Sequence, residues 1–172
     1  MKISPSVRKF VLFLILVAAI LLGRSWYFSP KLSPAQRSPS FEAATENGET
    51  FNLSDERGKY VYLNFWGSWC GPCLAKLPDL RRLHQSLPGH RFRLVNVAVE
   101  DDRERYRRAL QHHKIPGTHL LDPSNSLRFF NGPIAQKFGV KQLPTSFLIG
   151  PDGMILAYNP SVEEVVMELD VD

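Results

Sequence analysis

The residues best suited to chemistry are the two cysteines of the chain, Cys70 and Cys73, separated by Gly71 and Pro72. A C-x-x-C pair can cycle between dithiol and disulfide, and the thiolate is the reactive form. The pair falls where an apolar run, Tyr60–Trp66, gives way to a helical pattern. Cys70 is therefore expected at the start of a helix, where unpaired backbone N–H groups and the macrodipole favour an anion and activate the thiol. Gly71 admits close backbone approach, and Pro72 suits a first turn because its missing N–H would be unpaired there anyway. Cys73, one turn further in, is expected to be shielded and to resolve a mixed disulfide.

Two other uses of the pair are weaker. A permanent staple across a two-residue gap adds little chain-entropy stabilisation. A structural zinc site needs two further ligands, and no third cysteine exists. No metal is expected.

Elements on either side must hold the pair in place. Residues 41–53 alternate weakly around Asn47-Gly48, a strong hairpin signal, and residues 54–59 read as a turn. Tyr60–Trp66 has the near-continuous β-rich run of a buried central strand. After the cysteines, Leu74, Leu77, Leu80, Leu83 and Leu87 form a helical stripe that ends at Pro88-Gly89, with Pro78 expected to kink it. Residues 91–99 read as a second buried strand, 102–113 as a basic helix, 118–121 as a strand and 134–138 as helical. Residues 145–149 and 154–158 flank Gly150-Pro151-Asp152-Gly153 as a hairpin, and 161–169 close the chain as a helix capped by Ser161. Alternating strands and helices followed by a hairpin give an α/β class with a mixed sheet. No internal repeat or second globular domain is apparent.

The N-terminus reads as an address. Lys2, Arg8 and Lys9 precede an uninterrupted apolar run over 10–22, and Trp26, Tyr27 and Phe28 follow as an interfacial aromatic belt. No small-x-small cleavage site or lipobox cysteine follows the run, so residues 1–28 are read as an uncleaved signal-anchor spanning the membrane, against the alternative of a cleaved signal peptide. The Arg8-Lys9 pair favours the N-terminus inside and the domain outside. Residues 29–39, with Pro30, Pro34 and Pro39, form a Pro-rich linker, and residues 40–172 form the domain.

Net charge is +4, but residues 1–39 hold six basic residues and no acidic ones. The remainder carries 15 basic against 17 acidic residues, which argues for a membrane surface and against nucleic acid as the partner.

The segment Asn64-Phe-Trp-Gly-Ser-Trp-Cys-Gly-Pro-Cys, with Pro78 five residues past Cys73, resembles thioredoxins. More closely it resembles the membrane-anchored TlpA/ResA/CcmG group. That likeness rests on the anchor, Leu53-Ser54-Asp55, Arg57-Gly58-Lys59, Asn64-Phe65-Trp66, Gly139-Val140, Leu143-Pro144-Thr145, Phe147-Leu148-Ile149 and Asp152-Gly153. The resemblance implies a thioredoxin-like fold: a central mixed sheet flanked by helices, an N-terminal hairpin extension, and a βα insert within residues 101–136. It also implies a cis peptide at Leu143-Pro144 beside the cysteines, where substrate backbone would dock, with an ordinary trans proline as the alternative. Trp69 is expected to shield Cys70 and offer substrate an apolar contact.

Three positions bear on proton handling. Asn64 stands where thioredoxins carry a buried acid, so that proton route is absent. Lys76 stands where relatives of the group commonly have a glutamate; it either favours the thiolate or points to solvent. Glu100, at the carboxyl end of the second strand, is either a substitute general base or a carboxylate approaching the next helix.

The resulting expectation is a membrane-anchored thiol:disulfide oxidoreductase on the periplasmic or extracytoplasmic side of a bacterial cytoplasmic membrane. It would use no cofactor beyond its own disulfide. Its substrates would be cysteine-containing exported proteins, such as apocytochrome c or copper-site proteins, and a membrane electron donor protein would re-reduce it. The rival readings are a disulfide oxidase or isomerase of exported proteins, a copper-site assembly module and, more remotely, a peroxidase of the peroxiredoxin kind.

Overall fold

The structure, a computed structural model, describes residues 5–28, 32–124 and 130–170. The chain begins with helix α1, Pro5–Phe28, of which residues 6–25 are long and apolar enough to cross a membrane. The side chains of Trp26 and Phe28, read above as part of an aromatic belt, lie outside the described residues, as do Lys2 and the first three residues of the linker.

Strands β1, Glu42–Ala44, and β2, Thr50–Asn52, form an antiparallel hairpin, followed by a 3-10 turn over Leu53–Glu56. The hairpin turns at Gly48, whose φ of +84° suits a residue without Cβ. Strand β3, Tyr60–Trp66, is buried at all seven positions. The helical stripe beyond it is two helices, α2, Gly71–Ala75, and α3, Leu77–Ser86. The expected kink at Pro78 is thus a break at Lys76. Pro78 lies in the first turn of α3, where it lacks no needed donor, so the interruption falls before it.

Strand β4 covers Phe92–Glu100, one residue beyond the expected end, and α4 covers Arg103–His113 with Asp102 capping Arg105 N–H at 2.9 Å. Strand β5 is Thr118–Pro123, α5 Pro133–Lys137, β6 Thr145–Ile149, β7 Ile155–Tyr158 and α6 Val162–Asp170. The main sheet runs β5-β4-β3-β6-β7. β4 is parallel to both β3 and β5, whereas β6 is antiparallel to β3 and β7 antiparallel to β6, so the sheet is mixed. The inserted segment supplies α4 and the edge strand β5; residues 125–129 of it lie outside the described residues.

Alternation along β3 divides the core between the two faces. Val61, Leu63 and Phe65 pack with Phe41 and Phe51 of the hairpin region and Phe138 beyond α5. Tyr60, Tyr62 and Trp66 pack with Leu77, Leu80 and Leu83 of α3, Tyr106 of α4 and Val165 of α6. This second face carries the cysteines.

The last residues of the linker run along the domain. Ala35 N–H donates to Ile155 O at 2.9 Å, Ile155 N–H to Gln36 O at 2.8 Å, and Ser38 N–H to Gly153 O at 3.0 Å. Residues 35–38 therefore pair with residues 153–155 and cover the start of the β7 edge, a common remedy for unpaired strand edges.

Candidate active site

Cys70 and Cys73 are joined as a disulfide with Cα atoms 5.3 Å apart. Cys70 is the N-cap of α2, and its Sγ accepts the Cys73 N–H at 3.2 Å. Pro72 occupies the first turn, as its lack of an N–H allows, and Gly71 faces open space. Cys73 is shielded as expected, and Cys70 is equally buried. Residue exposures are 4% and 5%, so hydrogen bonding and position in the helix distinguish the two sulfurs, and burial does not.

The exposed apolar group next to them is Trp69, at 44% exposure. Its indole lies over Gly67, where any Cβ would sit 2.8 Å from the ring nitrogen. Gly67 thus gives the indole a seat on bare backbone.

Sheet register brings the remaining residues to this end. Phe65 pairs with Thr145 across the antiparallel β3 and β6, so Leu143-Pro144, immediately before Thr145, lies at the end of β3 from which the cysteine loop departs. Leu143-Pro144 is cis, as the resemblance implied. Leu143 is partly buried and packs against both core clusters, one of which contains Cys70 and Cys73.

Under the cysteine helix, Asn64 Nδ2 donates to Asn96 Oδ1 at 2.9 Å, and Asn96 Nδ2 to Pro116 O at 2.7 Å. The two asparagines are direct partners in the β3–β4 register. Where an acid was noted as missing, the structure therefore has a neutral buried amide pair. Lys76 is exposed at the junction of α2 and α3, and its ammonium makes no hydrogen bond or ion pair among the described residues. Glu100 is only 1% exposed. Its Oε2 accepts the Ser68 N–H at 3.3 Å and also the Ser68 hydroxyl, and Arg105 Nη1 lies 3.8 Å from Oε1. Glu100 thus faces the cysteine loop rather than only the following helix.

Ser68, Asn96 and Gly67 were not singled out from sequence. Ser68 and Gly67 lie inside the motif, but their roles depend on which residue stands opposite. Asn96 is a polar residue in an otherwise apolar strand, and that was the one readable signal. Among the described residues, no group of three His, Cys, Asp or Glu side chains is arranged to hold a metal.

The profile of the AhpC/TSA family matches residues 34–158. The chain is similar to the thiol-disulfide oxidoreductase ResA of Bacillus subtilis, with 28% identity over 83% of this chain and 79% of that protein. It is likewise similar to ResA of Geobacillus thermodenitrificans, with 29% identity over 87% of this chain and 83% of that protein. Among solved structures, a thiol-disulfide oxidoreductase from Bacteroides fragilis superposes with a TM-score of 0.69 at 27% identity, covering 79% of this chain and 98% of that one.

Proposed function

The chain belongs to the AhpC/TSA family, and we propose that it is a membrane-anchored thiol:disulfide oxidoreductase that reduces disulfides of exported proteins. The observation that carries this reading is the Cys70–Cys73 disulfide, with the Cys70 sulfur held on the Cys73 N–H at the mouth of α2. The resemblance to proteins named thiol-disulfide oxidoreductases supports it.

In the reduced enzyme, the Cys70 thiolate attacks one sulfur of a substrate disulfide. A Cys70–substrate disulfide forms, and one substrate thiolate leaves and takes up a proton. The Cys73 thiolate then attacks Cys70 Sγ, forming the Cys70–Cys73 disulfide and releasing the second substrate thiolate. Two electrons and two protons pass from the enzyme dithiol to the substrate. A dithiol protein of the membrane acts as electron donor and restores the reduced pair by the same exchange.

An N–H donor on Cys70 Sγ favours its anionic form, which makes Cys70 the attacking thiol. Trp69, Gly71 and Pro72 flank the cysteines in sequence, Leu143 packs against the cluster that contains them, and with Pro144 these residues would form the docking surface for substrate. The exposed indole offers apolar contact, and the Leu143-Pro144 backbone offers hydrogen-bonding groups. Helix α1 anchors the domain, which works on the extracytoplasmic side. Apocytochrome c and copper-site proteins are client classes that carry the required cysteine pairs.

Replacing Cys70 with Ser should abolish reduction of insulin by the chain in the presence of dithiothreitol. Cys73→Ser should instead accumulate mixed disulfides whose partners can be identified. Retained turnover in Cys70→Ser would sink the mechanism. Direction of net flow is read from the reduction potential: a value below about −200 mV fits a reductase, and one near −120 mV fits an oxidase.

A further inference from the structure

The geometry points to Glu100 as the residue that positions the loop carrying Trp69 and Cys70, acting through Ser68. The inference rests on the reading of Cys70 as the attacking thiol, and it adds a control on that thiol.

The strand register creates the contact. β3 and β4 stay paired up to Trp66 opposite Ala98. Beyond that point β3 leaves the sheet, while β4 continues to Glu100. Ser68 has turned away with the loop, so its backbone N–H has no ladder partner on β4. The Glu100 carboxylate occupies that place and accepts both the N–H and the hydroxyl of Ser68 on one oxygen. Two donors from one residue fix both the backbone and the side chain of Ser68, leaving Trp69 and Cys70 little freedom of orientation. The loop closes on its other side through Cys70 N–H to Gly67 O at 3.0 Å. Its geometry therefore depends on one strand-end side chain and one short turn.

The carboxylate is an expensive group for this task. Its side chain is fully buried, and Oε1 has no hydrogen-bond partner among the described residues. The compensating cation, Arg105, is half exposed and sits at 3.8 Å, beyond hydrogen-bonding range. Burying a carboxylate with one oxygen unsatisfied is costly, and a neutral acceptor would hold Ser68 without that cost. What the fold requires here is an acceptor for Ser68. Holding the loop keeps Cys70 Sγ on the Cys73 N–H, and that donor favours the thiolate. Loosening the loop weakens the donor and slows attack.

The test uses the full chain in detergent, reduced, with iodoacetamide alkylation of Cys70 followed across pH. Ser68→Ala and Glu100→Ala should each slow alkylation at neutral pH on the order of threefold, equivalent to about half a pH unit in the midpoint. The double variant should be no slower than the slower single one, because both changes cut the same contact. Glu100→Gln retains an acceptor for Ser68 and should stay near the wild-type midpoint. Ser68→Ala removes only a hydroxyl, so it keeps the test decisive should Glu100→Ala fail to fold. Unchanged midpoints in Ser68→Ala and Glu100→Ala, additive effects in the double variant, or Glu100→Gln behaving like Glu100→Ala would each overturn the inference. Its failure is separable from that of the functional reading: wild-type protein inert towards insulin rejects the oxidoreductase itself, whereas active wild type with unaffected variants rejects only the role of Glu100.

Discussion

At the scale of single residues, the sheet face that carries the cysteines holds a buried pair of amides. Asn64 and Asn96 face each other as amides, with Asn96 also held by Pro116 O. Asn64→Asp would place a carboxylate oxygen against Asn96 Oδ1, and the Asn96 amide cannot turn without losing Pro116. The variant should lose stability at neutral pH, on the order of 1–3 kcal/mol for an unsatisfied buried acceptor. Charge is disfavoured there, so the introduced acid would have a raised folded pKa. The deficit would therefore be present above that pKa and would shrink as pH falls through it, because protonated Asp can again donate. Denaturant unfolding of wild type and variant at neutral and acidic pH measures it; a deficit that grows on acidification would contradict this account.

At the scale of elements, short helices depend on side chains that cap them, from nearby or from elsewhere in the chain. Helix α5 has only five residues and no cap of its own, since its N-cap is Gly132. Asp122, fully buried at the end of β5, accepts Ile134 N–H at 3.1 Å and Ala135 N–H at 2.7 Å. A side chain on Gly132 would collide with that carboxylate, so glycine and aspartate are matched. Asp122→Ala strands two helix-start donors and should cost about 2–3 kcal/mol in urea unfolding, with Asp122→Asn intermediate because it keeps one acceptor. By contrast, α6 is capped locally: Glu164 N–H donates to Ser161 Oγ at 3.2 Å, and Ser161 N–H to Glu164 Oε2 at 2.7 Å. The local cap of α6 was legible from Ser161, whereas the distant cap of α5 was not.

At the scale of the molecule, part of the Pro-rich stretch is tied to the domain. Residues 29–39 read as a spacer because prolines and polar residues leave no period, yet residues 35–38 hydrogen-bond to residues 153–155 at the start of β7. Ser38 is buried as a result. A soluble form starting at residue 32 should therefore exceed one starting at residue 40 in stability, by about 1–3 kcal/mol for three backbone hydrogen bonds. Equal thermal midpoints for the two forms would show the edge contact to be inconsequential. The short form should also associate more readily, because it exposes an unpaired strand edge.

The sequence by itself determined the elements and the reactive pair. Apolar period marked β3, β4 and α3, turn residues marked both hairpins, and Cys70-Gly-Pro-Cys73 at a strand-to-helix boundary marked the chemistry. These signals are local: each is carried by residues within a few positions of one another. Only tertiary structure decided what stands opposite. It paired Asn64 with Asn96 and turned Glu100 towards Ser68. Each of these depends on strand register and on packing between segments some thirty residues apart. A single residue of slip in a parallel pair would exchange every partner and turn each side chain to the other face. Nothing local in the sequence encodes that alignment; it is set when both faces of the sheet are buried at once.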